Sequence, residues 1–183
     1  TFTAQLTLLG AIAGAGAEEV VLADAATLDL IGRVTIAENV VDIGRLGDGT
    51  TTDRLRPVEV LGPGGAGVLS GVVAIYAGFA HSLALKADGT VWAWGNNGSG
   101  RLGDNSTVAQ STPVQVHGVD NVGFLEGIIA LAAGESHSMA LSSNCTLYAW
   151  GNNANGRLGD GTTLDHRTPI IIDEDNIAPV LTL

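Results

Sequence analysis

Two histidine–serine pairs, His81-Ser82 and His137-Ser138, each place a base beside a hydroxyl. These are the residue types of a nucleophile and its general base. Neighbours on a strand point to opposite faces, so neither pair can form such a dyad by itself. The two pairs also recur at the same place in a repeated segment. Catalysis needs one site, whereas a residue present in every copy answers a structural need. The expectation is a histidine that bonds backbone at the corner of each copy. A metal pair would require further ligands, and His117 and His166 fall in loops without a cysteine–carboxylate set nearby. No catalytic residue, metal ligand or cofactor is assigned.

Asp48, Asp104 and Asp160 share the frame Leu-Gly-Asp-(Gly/Asn)-(Thr/Ser)-Thr. Short acidic side chains in such turns accept bonds from nearby backbone N–H groups. Calcium would need several more oxygen ligands, and the spacing is not that of an EF-hand loop. Arg45, Arg101 and Arg157 recur too. They are expected to pair with those aspartates or with acids on a neighbouring copy. Trp92, Trp94, Tyr148 and Trp150 could offer a stacking platform, but packing between copies is the reading adopted. No Gly-x-x-x-x-Gly-Lys-Ser/Thr loop occurs, so nucleotide binding of that type is not expected. The sequons at Asn97, Asn105 and Asn144 read as by-products of turn composition.

What is left for recognition is the segments that differ between copies inside a matched frame. Binding residues concentrate on loops held by a rigid scaffold. The expected partner-binding residues are Asp104, Asn105, Ser106, Thr107 and Gln110 in one loop. In the corresponding loop of the next copy they are Asp160, Thr162, Thr163, Asp165 and His166.

Composition narrows the classes. A net charge of −11, from 8 basic and 19 acidic residues, leaves no basic footprint for nucleic acid. One cysteine cannot close an internal disulfide. At 45% hydrophobic and 15% charged, the chain is too apolar for a disordered tail. No uninterrupted apolar run is long enough for a membrane-spanning helix. Residues 6–17 look superficially like a signal-peptide core but lack a basic flank, and the chain starts at Thr1.

The elements follow from an internal repeat. Residues 78–116 lie on residues 134–172 without a gap, and 56 residues separate His81 from His137. The signature is Gly78, His81, Ser82, Trp94, Gly95 and Gly103, answered by Gly134, His137, Ser138, Trp150, Gly151 and Gly159. A third copy is visible from Gly44-Arg45-Leu46-Gly47-Asp48 to Pro57. Its front half is degraded: shifted by one residue, Leu28, Leu30 and Ile36 fall on Leu83, Leu85 and Val91, with Ala26-Thr27 and Ala37-Glu38 near the missing His-Ser and Trp-Gly pairs. Each good copy reads as four short strands, near residues 72–77, 81–86, 90–95 and 112–116 in the first of them. Asp88-Gly89 signals a two-residue hairpin, and Asn144-Cys145 stands in its place in the next copy. Val91 and Ala93 point to one face and Trp92 and Trp94 to the other, so both faces are apolar. That suits a blade packed between two blades of a propeller.

At these residues the sequence resembles the regulator-of-chromosome-condensation repeat family, in spelling its bacterial branch. The resemblance implies an all-β propeller, usually of seven blades, that binds through face loops. This chain holds about three blades of four strands, hence a partial propeller. Residues 1–16 are a leader or unassigned segment, 17–71 a degenerate first repeat, 72–127 the second and 128–174 the third. Residues 175–183 resemble the opening strand of an immunoglobulin-like domain, or are a tail. The chain is expected to be an excerpt of a longer protein or to self-associate. The function expected is a protein–protein interaction module of a bacterial secreted or cell-surface protein, not an enzyme. Guanine-nucleotide exchange on a small GTPase is the alternative by family analogy, although the two full copies show no insertion between them.

Overall fold

The alternation in Val91-Trp92-Ala93-Trp94 decides how the sheets stack. In the computed structural model, Leu83, Leu85, Val91 and Ala93 are buried on one side of their sheet with Leu102, Val116, Leu125, Ile128, Leu131, Ala140 and Trp150. On the other side, Val72, Ile75, Ala84 and Trp94 are buried with Leu46, Val60 and Leu69. Both faces of one sheet are thus dry, as the sequence pattern predicts. The structure describes residues 44–54 and 57–172, with short strands at 27–28 and 34–36. The leader and the immunoglobulin-like tail lie outside the described residues.

Three antiparallel sheets follow one another. The first comprises β1 (Thr27–Leu28), β2 (Val34–Ile36) and β3 (Val58–Glu59). The second comprises β4 (Val72–Ala77), β5 (His81–Lys86), β6 (Val91–Gly95) and β7 (Gln110–Gln115). The third repeats it as β8 (Ile128–Ala133), β9 (His137–Ser142), β10 (Leu147–Gly151) and β11 (His166–Ile172). Register shifts fall at matching places, between Val72 and Ala74 and between Ala93 and Gly95 in one sheet, Ile128 and Ala130 and Ala149 and Gly151 in the next. There is no α-helix among the described residues. Meandering four-stranded sheets packed face to face make a partial β-propeller. The fourth strand of the second sheet starts at Gln110 rather than Thr112, because backbone pairing of Gly95 with Gln110 extends it through polar residues.

The pairing re-registers the degenerate copy. Thr35 pairs with Thr27 and Glu59, as Trp92 pairs with Ala84 and Gln115. Ile36 therefore corresponds to Ala93, not to Val91, and Leu28 to Leu85, not Leu83. Hydrogen bonding fixes register where a weak apolar pattern cannot.

The Asp88-Gly89 hairpin is one residue longer than expected. Gly89 N–H donates to Lys86 O at 2.9 Å and Lys86 N–H to Thr90 O at 3.0 Å, so the loop is Ala87-Asp88-Gly89 with Gly89 at φ +80°. This is the three-residue type that ends in a left-handed residue. Cys145 fills that left-handed position at φ +67°. A Cβ there costs roughly 1–2 kcal/mol, partly offset by the chain entropy glycine loses on folding. Cys145→Gly is therefore expected to stabilise the chain by about 0.5–1 kcal/mol, read as a shift in the urea midpoint.

Candidate functional site

Strand direction sorts the connections onto two ends of the blades. The turns 78–80 and 134–136 and the long loops 96–109 and 152–165 share one end. The hairpins 87–89 and 143–145 and the connectors 117–127 share the other. The recurring arginines and the variable loops 96–109 and 152–165 lie on the first end, here called the loop face, while the variable connectors lie on the other.

The blades are stapled beneath that face. Trp94 Nε1 donates to Arg45 O at 2.7 Å, and Trp150 Nε1 to Arg101 O at 2.9 Å. The same carbonyls accept Ser82 Oγ at 3.2 Å and Ser138 Oγ at 2.9 Å. A buried tryptophan N–H and a buried carbonyl thereby satisfy one another. The turn must pass close to the indole: a Cβ on Gly103, at φ +71°, would lie 2.8 Å from Trp150 Nε1.

His81 does not bond backbone. Its Nε2 lies 2.9 Å from Ser138 Oγ of the next blade. Because Ser138 gives its proton to Arg101 O, the imidazole nitrogen must be the donor, which leaves Nδ1 bare, buried and without a partner. Burial, aided by the charges of Arg101 and His137, lowers the His81 pKa to about 3. Gly78 makes room for the ring, since a Cβ there would sit 2.1 Å from His81 Cε1. A histidine–serine pair thus forms, but between blades. Ser138 is fully buried and its proton is engaged, so the pair has the geometry of a staple rather than of a nucleophile and base.

The predicted loop residues divide into inward and outward sets. Asp104 Oδ1 accepts Asn97 Nδ2 at 2.8 Å and Ser106 N–H at 3.0 Å, and its Oδ2 accepts Ser106 Oγ at 3.0 Å and Gln110 Nε2 at 3.4 Å. Asp160 does the same with Asn153 Nδ2 at 2.9 Å, Thr162 N–H at 2.9 Å, Thr162 Oγ1 at 2.8 Å and His166 Nε2 at 2.7 Å. Burial raises the Asp160 pKa, but the bonds from Thr162, Asn153 and His166 outweigh it and hold the group at about 2. Asp48 is likewise held low despite burial, by Thr50 and Arg54. The residue six places after each aspartate is thus its partner, as Arg54, Gln110 or His166. Asp165 accepts Asn153 N–H at 2.7 Å and Asn152 Nδ2 at 3.1 Å. Asn105, Thr107 and Thr163 are exposed, together with Val108 at 66% and Leu164 at 70%. The two apolar tips stand at matching positions of the two loops.

Sequence reasoning missed the hub of these loops. Asn97 and Asn153 are fully buried. Asn97 Oδ1 accepts Leu102 N–H, and its Nδ2 reaches Asp104, Ser106 and Val108 O. The signal was the Asn-Asn doublet repeated in both copies. Asn97→Ala would orphan the buried Leu102 N–H and lose the Asp104 bond, so a loss of about 2–3 kcal/mol is expected in urea melts.

The arginines do not pair with the turn aspartates, whose oxygens are already occupied. Arg45 Nη1 donates to Phe79 O and Arg101 Nη1 to Glu135 O, each at 3.3 Å and each across to the next blade. Arg157 turns back, with Nε on Ala154 O at 3.0 Å and Nη1 on Ser136 Oγ at 3.3 Å. Arg101 and Arg157 consequently line one polar cleft of about 470 Å³ between the second and third sheets. Among the described residues no group of three or more histidine, cysteine or acidic side chains is placed to hold a metal.

Two models of the regulator of chromosome condensation (RCC1) repeat match the chain, one at residues 88–141 and 146–180 and the other at 72–101 and 128–157. The ultraviolet-B receptor UVR8 of Arabidopsis thaliana is 33% identical over 132 residues, covering 71% of this chain and 28% of the receptor. Human protein RCC2 is 31% identical over 141 residues, 75% of this chain and 24% of that protein. The human E3 ubiquitin-protein ligase HERC2 is 34% identical over 131 residues, 72% of this chain but 2% of the ligase. The chain therefore spans less than a third of each of these relatives. Among solved structures, Prp20p of Saccharomyces cerevisiae superposes with a TM-score of 0.63 at 22% identity, over 81% of this chain and 36% of Prp20p. The same yeast protein bound to Kap60 gives 0.64. At that identity the likeness is one of fold. With both repeat models falling on the stapled blades, the chain belongs to the regulator of chromosome condensation (RCC1) repeat family.

Proposed function

We propose that this chain is a protein-interaction module without catalysis of its own, which meets its partner on the loop face. The observation that carries this is the division within the loops. Asp104 and Asp160 are consumed in holding shape, while Asn105, Thr107, Val108, Thr163 and Leu164 project from a frame pinned to the next blade. Asn105 N–H donates to Arg167 O at 3.0 Å, which ties one loop to the following sheet. A rigid loop loses little entropy on binding. Relatives of this fold support the reading: the Prp20p structure reports binding to Gsp1p and histones, and another holds Kap60. The net charge of −11 favours a basic protein partner over nucleic acid. A bacterial secreted or cell-surface setting is part of the same proposal.

The test is selection of binders from a displayed peptide library on the full chain. Competition should be lost with Leu164→Arg and Asn105→Lys and kept with Val122→Arg on the opposite end. Binders indifferent to both loop-face variants would overturn the reading. Exchange on a small GTPase is the family-based alternative, tested by nucleotide release.

Self-association belongs to the same proposal. Met139 and Leu141 occupy the positions of Leu83 and Leu85, which the next blade covers, yet Leu141 is 36% exposed. With Leu147 and Leu131 they line a small apolar groove. A second copy covering this face gives a light-scattering mass above the 18.5 kDa of one chain, and Leu141→Arg returns it to one chain.

A further inference from the structure

The cleft between the second and third sheets collects two guanidinium groups. The chain has 8 basic residues in all. Two of them, Arg101 and Arg157, line this cleft with Asn96, Ser99 and Ser136, and Phe79 stands beside them, 42% exposed. Neither guanidinium has a carboxylate oxygen within 4.0 Å among the described residues. Arg101 Nη1 is engaged by Glu135 O, but Arg101 Nε is buried with no hydrogen-bond partner. Arg157 reaches only neutral oxygens, Ala154 O and Ser136 Oγ. Two like charges held in one polar recess, with donors left over, make a site for an anion.

The surroundings select among anions. Glu135 lines the cleft, and it and Asp165 lie close enough to Arg101 to favour its charge against burial. A second negative charge on the ligand would meet those carboxylates, which disfavours a phosphate dianion. A single carboxylate avoids them and matches the fork of a guanidinium. The volume, about 470 Å³, exceeds one side chain and admits adjoining backbone. Ser99, Ser136 and Asn96 offer amide and hydroxyl partners for such backbone, and Phe79 offers an apolar wall.

We infer that the cleft bounded by Arg101, Arg157 and Phe79 is a docking pocket for a glutamate or aspartate side chain carried by a partner's peptide segment. This rests on the reading of the chain as a protein-interaction module and assigns one anchor of the contact. A partner basic overall would insert one acidic residue here, where two of the chain's 8 basic residues line one recess.

The test follows the Nε–H resonances of Arg101 and Arg157 in the full chain by NMR. The probes are acetyl-Gly-Glu-Gly-amide, its Gln counterpart, acetate and inorganic phosphate. The Glu peptide should shift both resonances saturably, at least tenfold more tightly than the Gln peptide, acetate or phosphate. Arg157→Gln, at an exposed position, should weaken the effect on Arg101 at least tenfold while the backbone spectrum is kept; Arg157→Lys should restore part of it. Equal response to Glu and Gln peptides, or none at solubility-limited concentration, would overturn the assignment. Acetate or phosphate binding as tightly as the peptide would also overturn it, in favour of a small-anion site. If displayed binders are lost with Leu164→Arg but insensitive to Arg157→Gln, the module reading stands and the pocket falls. If no binder reaches the loop face, the module reading falls, and the titration judges the pocket alone.

Discussion

Trp150→Ala is expected to cost about 4 kcal/mol, among the largest losses from a single side chain in the described blades. The indole is fully buried in the cluster that joins the second and third sheets. Removing it leaves a cavity between two sheets whose backbones are fixed by their own ladders, so collapse to fill the space is limited. It also removes the donor to Arg101 O. That carbonyl keeps Ser138 Oγ, so it is not orphaned, and the hydrogen-bond share of the loss is modest. Trp150→Phe separates the terms: it keeps most of the apolar contact and should cost about 1–2 kcal/mol. Both are read from urea melts at constant m-value. The comparison asks where the stability of a repeat array resides. If it resides between neighbours, as the shared clusters indicate, an interface tryptophan dominates. A loss below about 1 kcal/mol for the alanine variant would place stability within individual sheets instead.

Much of this architecture was legible because propeller blades repeat locally. The spacing from His81 to His137 set the blades, and the alternation around Trp92 and Trp94 set which faces are dry. What escaped notice depends on residues far apart in the chain. The partner of His81 is Ser138, on the next blade, and nothing near His81 in sequence names it. Of the two partners expected for Arg101, the turn aspartate is not used, for the same reason: its acceptor is the Glu135 carbonyl on the following sheet, and the carboxylates of Glu135 and Asp165 on that sheet's loops lie near enough to favour its charge. The register of the degenerate copy escaped because Thr27 and Thr35 have no apolar alternation to read, and only their ladder partners fix them. In the candidate site, residue type misled. Gln110 and His166 look available for contact, yet both turn inward onto aspartates. Val108 and Leu164 are apolar and yet stand in solvent.

Acid should loosen the blades well above the range where carboxylates titrate, and His81 is the cause. Burial, with Arg101 and His137 nearby, lowers its pKa from 6.5 to about 3 in the folded chain. The unfolded chain therefore binds a proton between those values that the folded chain refuses. Stability is complete above about pH 6.5 and falls as pH drops, with a slope of up to about 1.4 kcal/mol per pH unit from this one group. By about pH 4 the loss from His81 alone is on the order of 3 kcal/mol. His137, lowered chiefly by burial and further by Arg157, adds in the same direction. Asp160, held at about 2, acts in the same sense but only below its ordinary value of 3.8, so above that value the fall is not its doing. His81→Gln isolates the effect. A glutamine amide can still donate to Ser138 Oγ but cannot titrate, so the variant should be somewhat weaker at pH 7.5 while its urea midpoint changes less from pH 6.5 to pH 4.5. An unchanged slope in the variant would mean that another group carries the acid transition. The physical requirement is specific: an imidazole that donates from Nε2 and has no acceptor at Nδ1 can serve the staple only while neutral. The bond between neighbouring blades is thereby tied to the protonation state of one ring.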